Sequence, residues 1–344
     1  MKLVFDWQVS SFFGWGVYGL NFALELLRYP DIEARTPRPL DPHQIAVDSL
    51  RFHALAPLIA RSAQGPPTAD CPWLQSTGNN FLPERPPGAR IGVVFFELPL
   101  NEAAIGRAKA YDVIVTGSSW NTEILEASGI TNTRMILQGV DRSLFYPAPR
   151  RKLFPGRFLI FSGGKPEPRK GQDIVVAAFR IFARRHPEAM LVTAWYTGWP
   201  QMARGMDLDV SAFADRVISV GPMPNGVMAP IYRECDVAVF PNRAEGGTNL
   251  VAMECIACGV PTILSDCTGH RDLLHMGHGY RLAQTPGTVW SEWGESNVEE
   301  VVEALEWHFR NARPRTDPVS LPQWSEATDS LVQLTRDVYQ TDHV

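Results

Sequence analysis

The feature that most constrains the fold of this chain is a regular alternation of short apolar runs with longer amphipathic stretches. Such runs are IGVVFFEL and DVIVTG in the first half, and RFLIFSG, AMLVTAW, DVAVFPN and PTILSD in the second. Their apolar residues follow one another without a polar residue at every second position, which is typical of strands buried on both faces. Strands of this kind that alternate with helices predict α/β domains, each a parallel sheet covered by helices.

The 344 residues exceed the size at which one hydrophobic core keeps growing, so we expect two domains. A stretch rich in prolines and charges, residues 145–152, interrupts the pattern, and we place the linker there. The prediction is an N-terminal domain over 1–150, a C-terminal domain over 151–325 and a terminal helix over 326–344. Residues 30–90 mix short periodic stretches with proline-rich breaks and predict only loops that join short elements.

Composition argues against several classes of partner. A formal net charge of -5 gives no general reason to bind nucleic acid, because that affinity comes from clustered Lys and Arg. No stretch approaches the roughly 20 apolar residues that span a bilayer, so we expect at most peripheral membrane association. Five cysteines and an N-terminus without a signal-peptide pattern favour a cytoplasmic protein, either free or at the inner face of the membrane.

A glycine-rich segment, Gly14 to Gly19, separates the apolar run LVF from the periodic stretch LNFALELL. A glycine turn between a strand and a helix lets backbone amides approach a pyrophosphate, because no side chain blocks the approach. The alternative is a purely structural turn in which Trp15 and Tyr18 pack against neighbours. The sequence leaves both interpretations open.

A second candidate is the basic loop in FSGGKPEPRKGQDIVVAAF, where Lys165 and Lys170 flank a proline-stiffened turn between a strand and a helix. Two cations beside the free amides of a helix N-terminus suit a diphosphate. The alternative is a solvated basic loop.

A third candidate is FPNRAEGGTNLVAMECIACGVPTILSD, in which a strand leads through a Gly-Gly turn into a helix. Glu254 lies about two turns into that helix, so its carboxylate can accept hydrogen bonds from a vicinal diol while the first amides hold phosphate. The alternative is a solvated glutamate. The pair Cys255 and Cys258 lacks the further ligands that zinc requires, so we expect no zinc site there.

Together these segments resemble the retaining glycosyltransferases of family 4, whose fold is called GT-B. Between Arg157 and Leu274, SGGKPEPRKG is similar to the family's phosphate loop and EGGTNLVAMECIACGVP to its Glu-x7-Glu signature. The segments SSWNTEILEASGI and MILQGVDRSLFYP resemble the end of the family's first domain, and WSEATDSLVQL resembles its crossover helix. The resemblance implies two Rossmann-like doubly wound domains, an interdomain cleft that binds the donor, and a C-terminal helix that returns to the first domain.

The resemblance also implies roles for individual residues. Glu254 would bind the ribose hydroxyls, and Lys165 and Lys170 would bind the diphosphate. His270, which follows another strand end, would reach the diphosphate or the donor sugar, with a structural role as the alternative. The remaining donor contacts would come from turn residues and backbone amides, namely Gly16, Gly247, Thr248, Asn249 and Leu250.

Two positions depart from the family's pattern. Counting back from Glu254, the first glutamate of the signature would fall at Gly246, whereas the nearest one is Glu245, one residue earlier. Glu97 stands where members often carry a histidine near the reacting centre, and it would contact the donor sugar or the acceptor. Its alternative is a buried residue paired with backbone or arginine. The predicted catalytic residues are Glu97, Lys165, Lys170 and Glu245.

The implied activity is transfer of a sugar from a nucleoside-diphosphate sugar to a glycan or lipid-linked acceptor with retention of configuration, as in bacterial surface polysaccharide synthesis. We expect no metal and no other cofactor, because local cations and helix amides, rather than magnesium on an Asp-x-Asp motif, would neutralise the leaving diphosphate. Two alternatives stay open: a sugar-nucleotide epimerase or hydrolase on the same fold, and a non-catalytic sugar-nucleotide-binding protein.

Overall fold

The computed structural model describes residues 1–67, 70–84, 86–288, 290–311 and 321–341. The chain divides into two compact units: unit 1 comprises residues 1–141, 224–226 and 322–344, and unit 2 comprises residues 142–223 and 227–321. By this division the predicted linker over 145–152 lies at the start of unit 2, and the C-terminal helix belongs to unit 1.

Unit 1 is built on a parallel sheet. Its described strands are β1 (Lys2–Asp6), β2 (Glu33–Arg35), β3 (Trp73–Thr77), β4 (Arg90–Val94), β5 (Val113–Thr116) and β6 (Thr133–Met135). They stand in the order β2-β1-β3-β4-β5-β6, and each neighbouring pair is parallel. The α-helices described in this unit are α1 (Gly14–Glu25), α2 (Ser49–Ser62), α3 (Glu102–Ala108), α4 (Ser119–Ala127) and α10 (Trp324–Thr341).

Unit 2 repeats this architecture. Its sheet contains β7 (Phe158–Gly164), β8 (Ala189–Trp195), β9 (Val217–Ser219), β10 (Val237–Phe240), β11 (Thr262–Ser265) and β12 (Tyr280–Leu282). Within the described residues the order is β12-β11-β10-β7-β8-β9, again parallel throughout. The helices are α5 (Gln172–Arg185), α6 (Met228–Glu234), α7 (Leu250–Ala257), α8 (His270–His275) and α9 (Val298–Arg310), and a small antiparallel hairpin joins β13 (Gln284–Pro286) to β14 (Gly294–Ser296).

The predicted α/β class with two doubly wound parallel sheets is confirmed. The strands are buried because helices cover the sheet, as their uninterrupted apolar runs predicted. In unit 2, one core cluster joins residues of β7, β8, β10 and β11 to apolar side chains of α5 and α9. No helix in the described part of the chain is both long and apolar enough to cross a membrane.

The C-terminal helix α10 packs against α1 within unit 1. Trp324 stacks on Tyr18 with ring centroids 5.1 Å apart, and Tyr29 donates a hydrogen bond of 2.5 Å to Asp329. Just before the helix, Val140 and Gln323 form an isolated parallel bridge. The chain therefore returns to unit 1 at its end, as expected for the helix that WSEATDSLVQL resembles.

Residues 30–90 hold more regular structure than the sequence patterns predicted. They include β2, α2 and β3 as well as the start of β4. The apolar residues of α2 do not mark one buried face, because Leu50 is 81% exposed, and Pro57 lies inside the helix. Local periodicity therefore gave no clear indication of this helix.

The strand predicted from IGVVFFEL ends earlier than the apolar run. β4 stops at Val94. Beyond it, the side chain of Asn121 makes two hydrogen bonds to the backbone of Phe96. Asn121 Oδ1 accepts from the Phe96 amide at 3.2 Å, and Asn121 Nδ2 donates to the Phe96 carbonyl at 3.0 Å. These contacts replace ladder hydrogen bonds, so the residues after Val94 form a loop.

The interpretation of Gly14 to Gly19 as a turn was wrong, because helix α1 begins at Gly14 and contains the whole segment. A Cβ atom at Gly16 would lie 2.7 Å from the Cβ of Ser10, and one at Gly19 would overlap the carbonyl oxygen of Gln8. These two glycines therefore let the preceding loop lie directly against the helix. Gly16 remains in the first helical turn.

We expect Gly19→Ala to destabilise unit 1 by about 1–3 kcal/mol, since the new methyl group would also meet the Trp7 side chain at 2.7 Å. The matched control is Gly14→Ala in the same helix, where a Cβ meets nothing within 4 Å and the change should be within about 1 kcal/mol. Urea unfolding of the two variants measures the difference. Equal unfolding midpoints in the two variants would show that the loop before α1 does not pack tightly against the helix.

Candidate functional site

The candidate site lies in unit 2, where the chain reverses its direction of strand addition. The strands β7, β8 and β9 extend the sheet one way, whereas β10, β11 and β12 extend it the other way. In sheets of this type, ligands bind outside the carboxyl ends of the strands at the point of reversal. At that point lie the basic loop after β7, residues 165–171, and the loop after β10, residues 241–249, which we term the Glu245 loop.

The basic loop and the Glu245 loop are joined by hydrogen bonds between their backbones. The carbonyl oxygen of Arg169 accepts hydrogen bonds from the amides of Arg243 at 2.7 Å and Ala244 at 3.1 Å. Gly171 has φ of 66°, and a Cβ there would overlap the carbonyl oxygen of Pro241. The two loops therefore hold a defined position relative to each other.

Five side chains of alternating charge form what we term the charge cluster: Lys165, Glu167, Arg169, Glu245 and Lys170. Glu167 binds Lys165 at 2.8 Å through one oxygen and Arg169 at 2.7 Å through the other. Glu245 binds Lys170 through one oxygen and Arg169 at 3.3 Å through the other. The structure thus brings both predicted lysines and Glu245 together, with each lysine paired to a carboxylate.

The charge cluster contains two residues that the sequence analysis did not single out, Glu167 and Arg169. Both are largely buried, with side-chain exposures of 4% and 14%. The alternating charges in KPEPRK were the available indication. The interpretation of the basic loop as freely solvated does not hold, because only Lys165, at 33%, is substantially exposed.

Glu245 is buried and ionised. Burial acts to raise the pKa of its carboxyl, but the charges of Lys170 and Arg169 outweigh this effect and lower the pKa to about 2. Asn242 Nδ2 also donates to the carboxylate, and the Glu245 amide donates to Thr268 Oγ1 at 2.8 Å. In this arrangement Glu245 is the counter-ion of Lys170 and Arg169.

Helix α7 begins beside the charge cluster. Asn249, its N-cap, has φ of 63°, and its Oδ1 accepts from the Ala252 amide at 3.3 Å. Thr248 is fully buried, and Leu250 is the half-buried first residue of the helix. A Cβ at Gly269 would overlap the carbonyl oxygen of Gly247, so these two backbones lie in close contact.

Glu254 lies on α7 with only 5% of its surface exposed, which rules out the interpretation as a solvated glutamate. The hydroxyl of Tyr232 on α6 donates to Glu254 Oε2 at 2.9 Å. Burial and the neighbouring Glu254 charge raise the pKa of Tyr232 well above its ordinary value, so the hydroxyl keeps its proton. Tyr232 was not among the predicted site residues, because nothing in the local pattern relates it to a helix 22 positions away.

His270 opens α8 and is fully buried. Its Nδ1 lies 2.9 Å from Ser265 Oγ, and its Nε2 lies 3.0 Å from Asn249 Nδ2. Burial lowers the pKa of the imidazole to about 4, with Glu245 acting in the opposite direction and Lys170 adding to the effect. The ring is therefore neutral near pH 7.

Two predicted residues, Gly16 and Glu97, belong to unit 1. Gly16 is the third residue of α1, where the first amides of a helix lack intrahelical partners. Glu97 is half-buried in the loop after β4, and its amide donates to Asn79 Oδ1 at 3.4 Å. Their roles stay predictions.

The described residues include cysteines and carboxylates of the types that ligate metals. Cys255 lies in α7 and Cys258 is the C-cap residue of that helix. Both are buried and outside any disulfide, and the described ranges contain no group of three or more His, Cys, Asp or Glu side chains placed to hold an ion. The sequence contains one Asp-x-Asp segment of interest, Asp207-Leu208-Asp209. Asp207 binds Arg180 at 2.6 Å, and Asp209 Oδ1 accepts from the Ser211 amide at 2.9 Å.

Comparison with known proteins gives a family match in unit 2. Residues 156–307 match the family model described as Glycosyl transferases group 1. A phosphatidyl-myo-inositol mannosyltransferase of Mycobacterium tuberculosis is 26% identical over 181 residues, covering 52% of this chain and 45% of that protein. A D-inositol 3-phosphate glycosyltransferase of Stackebrandtia nassauensis is 28% identical over 250 residues, covering 67% of this chain and 55% of that protein. The chain thus spans about half the length of these relatives.

Solved structures share the fold over nearly the whole chain. Sucrose-phosphate synthase from Thermosynechococcus elongatus has a TM-score of 0.69 at 17% identity, covering 99% of this chain and 100% of that one. The Anabaena protein HepE, in complex with UDP and glucose, has a TM-score of 0.61 at 16% identity, covering 99% of each chain. These likenesses support the expected GT-B fold.

We expect the stability of unit 2 to fall as the pH drops from about 6.5 to about 4, because His270 binds a proton in the unfolded chain before the folded one does. A pKa shift of this size corresponds to roughly 3 kcal/mol in the free energy of unfolding. This contribution is fully present above pH 6.5 and fully lost below pH 4. Thermal unfolding across this range should show a shallower pH slope in His270→Gln than in the wild type. The exposed His43→Gln is the control, and an unchanged slope in His270→Gln would contradict the assignment.

Proposed function

We propose that this chain, whose residues 156–307 match the family model of group 1 glycosyltransferases, transfers a glycosyl group from a nucleoside-diphosphate sugar to a glycan or lipid-linked acceptor. The observation that supports this most strongly is the charge cluster beside the N-terminus of α7, with Glu254 on the same helix. A fold neighbour that was solved with UDP and glucose supports a sugar nucleotide as the donor. The relatives named for phosphatidyl-inositol and inositol phosphate support a polyol or lipid-linked acceptor.

The proposed chemistry is cleavage of the bond between the sugar's anomeric carbon and the diphosphate. Positive charge develops on the sugar as negative charge accumulates on the leaving group, and stabilising that leaving group lowers the barrier. In the proposal Lys165, Arg169 and Lys170 supply positive charge, and the first amides of α7 donate hydrogen bonds. Glu254 would hold the ribose hydroxyls.

The charge cluster has a consequence for donor binding. Its three cations and two carboxylates leave one net positive charge on the charge cluster. An arriving diphosphate would compete with Glu245 for Lys170, so we propose that Glu245 keeps the lysine in place until the donor binds. Glu245 would then serve as a counter-ion first, whether or not it also reaches the sugar.

Retention of configuration and independence of metal are further parts of the proposal. In a retaining transfer the acceptor hydroxyl attacks on the face that the diphosphate leaves, and the leaving phosphate takes the hydroxyl proton. The three cations of the basic loop would replace a metal ion at the diphosphate. Product analysis by NMR of the new anomeric linkage, with and without EDTA, tests both points.

The first experiment identifies the donor. Thermal-shift measurements with UDP-, GDP-, ADP- and dTDP-sugars should show a stabilising donor, because a ligand that binds only the native state raises the unfolding temperature. Incubation with donor alone then separates a transferase, which needs an acceptor, from an epimerase or hydrolase. Binding without turnover across a broad acceptor panel would favour a non-catalytic protein.

We expect Lys170→Ala to lower turnover about 100- to 1000-fold, because it removes a cation that acts on the departing diphosphate. Glu245 would keep Arg169 and Asn242 as partners, so the fold should persist. The control is Lys109→Ala at an exposed position outside the site, which should retain full activity. Near-normal turnover in Lys170→Ala would remove the lysine from the mechanism.

We expect Tyr232→Phe to raise the donor KM about 10-fold while kcat changes little, because the hydroxyl that orients Glu254 is lost. A donor that lacks the ribose 2′-hydroxyl provides the internal control. It should bind the wild type and the variant about equally, whereas the natural donor should distinguish them. An equal loss with both donors would show that Tyr232 acts on general packing.

A further inference from the structure

The start of α7 adopts a backbone conformation that L-residues seldom choose. Asn249 has φ of 63° and ψ of 92°, in the left-handed region where side chains other than those of glycine, asparagine and aspartate are strained. This residue lies between Thr248 and Leu250, so its conformation sets the direction of the amides that open the helix. Something must hold Asn249 there when no ligand is bound.

The Asn249 side chain has only one orientation that satisfies its surroundings. Its Oδ1 must face the Ala252 amide at 3.3 Å, because an amide nitrogen in that place would oppose another donor. Nδ2 therefore points at His270 Nε2, 3.0 Å away, and donates to it. It follows that Nε2 carries a lone pair and that the proton of the neutral ring lies on Nδ1.

The other side of the imidazole agrees with this assignment. Nδ1 lies 2.9 Å from Ser265 Oγ at the end of β11, and a hydroxyl oxygen accepts an N–H readily. Both ring nitrogens are thus engaged by protein groups, and the ring is fully buried. A direct contact between His270 and a donor would require one of these hydrogen bonds to break.

We propose that neutral His270, protonated on Nδ1, is a positioning residue that acts through Asn249 to hold the first amides of α7 in the direction needed to bind the donor's diphosphate. The proposal rests on the proposed function. It replaces direct donor contact by His270 with a chain of hydrogen bonds running from Ser265 through His270 to Asn249. A proton on Nε2 would oppose the Asn249 N–H and release that residue.

Two charged groups act on His270, and they oppose each other. The Glu245 carboxylate favours a second proton on the ring, whereas the Lys170 ammonium disfavours it. A diphosphate that draws Lys170 away from Glu245 would change this balance. The neutral state of His270 and the charge cluster are therefore linked through the same two residues.

The assignment of the proton is tested by NMR of the full chain labelled with 15N-histidine. At pH 7 His270 should show a protonated Nδ1 and an unprotonated Nε2, with its signals assigned by their absence from His270→Gln. An imidazolium, or the tautomer protonated on Nε2, would overturn the proposal. This readout requires no nucleotide.

The effect on the helix is tested with His270→Gln, with the milder Ser265→Ala, and with the exposed His275→Gln on the same helix as the control. Hydrogen exchange at Ala252, whose amide donates to Asn249 Oδ1, should quicken in the first two variants and stay unchanged in the control. Dissociation constants for UDP, GDP, ADP and dTDP should rise about 10-fold in His270→Gln for whichever the wild type binds. If His270→Gln does not fold, the same measurements on Ser265→Ala test the proposal.

The outcomes separate the two proposals. A wild type that binds none of the four nucleotides and transfers no sugar contradicts the proposed function, while NMR and exchange still decide whether His270 holds the helix. A wild type that binds a nucleotide, together with a His270→Gln variant that binds it equally well, overturns the positioning role and leaves the proposed function standing.

Discussion

The buried ion pairs of Glu245 with Lys170 and Arg169 are the interaction on which the rest of the site depends. A carboxylate in the interior is costly unless cations and hydrogen-bond donors surround it, and Glu245 has both cations and the Asn242 side-chain amide as partners. Because Glu245 follows β10 and the two cations follow β7, the pairs join the loops at the reversal point of the sheet. A helix N-terminus and three cations are thereby presented at one edge of unit 2.

The buried polar groups around α7 also have hydrogen-bond partners. Asn249 is held by His270, His270 by Ser265, and Glu254 by Tyr232. Each of these partners is buried, so each hydrogen bond is made in surroundings where an unmade one is expensive. The candidate donor site is therefore preorganised by residues that do not themselves need to touch a ligand, which reduces the ordering that binding requires.

Much of the fold was predictable, because buried parallel strands and amphipathic helices leave local patterns. The runs that became β7, β8, β10 and β11 were all identified, and so were the helices that follow the two candidate loops, α5 and α7. The patterns were insufficient where local rules are ambiguous. Helix α2 carries an internal proline and an exposed leucine, and the glycines at 14–19 resemble a turn although they serve close packing inside a helix. In both places tertiary contacts outweigh local preference.

The sequence by itself predicted the alternation of strands and helices and supplied residue types that suit a diphosphate and a ribose, namely Lys165, Lys170 and Glu254. Only the tertiary structure decided what those residues contact, because their partners are distant in the chain. Lys170 and Glu245 lie 75 positions apart, and Asn249 and His270 lie 21 apart. Periodicity reports which face of an element is buried, whereas a hydrogen bond between two loops depends on how the whole sheet brings their ends together.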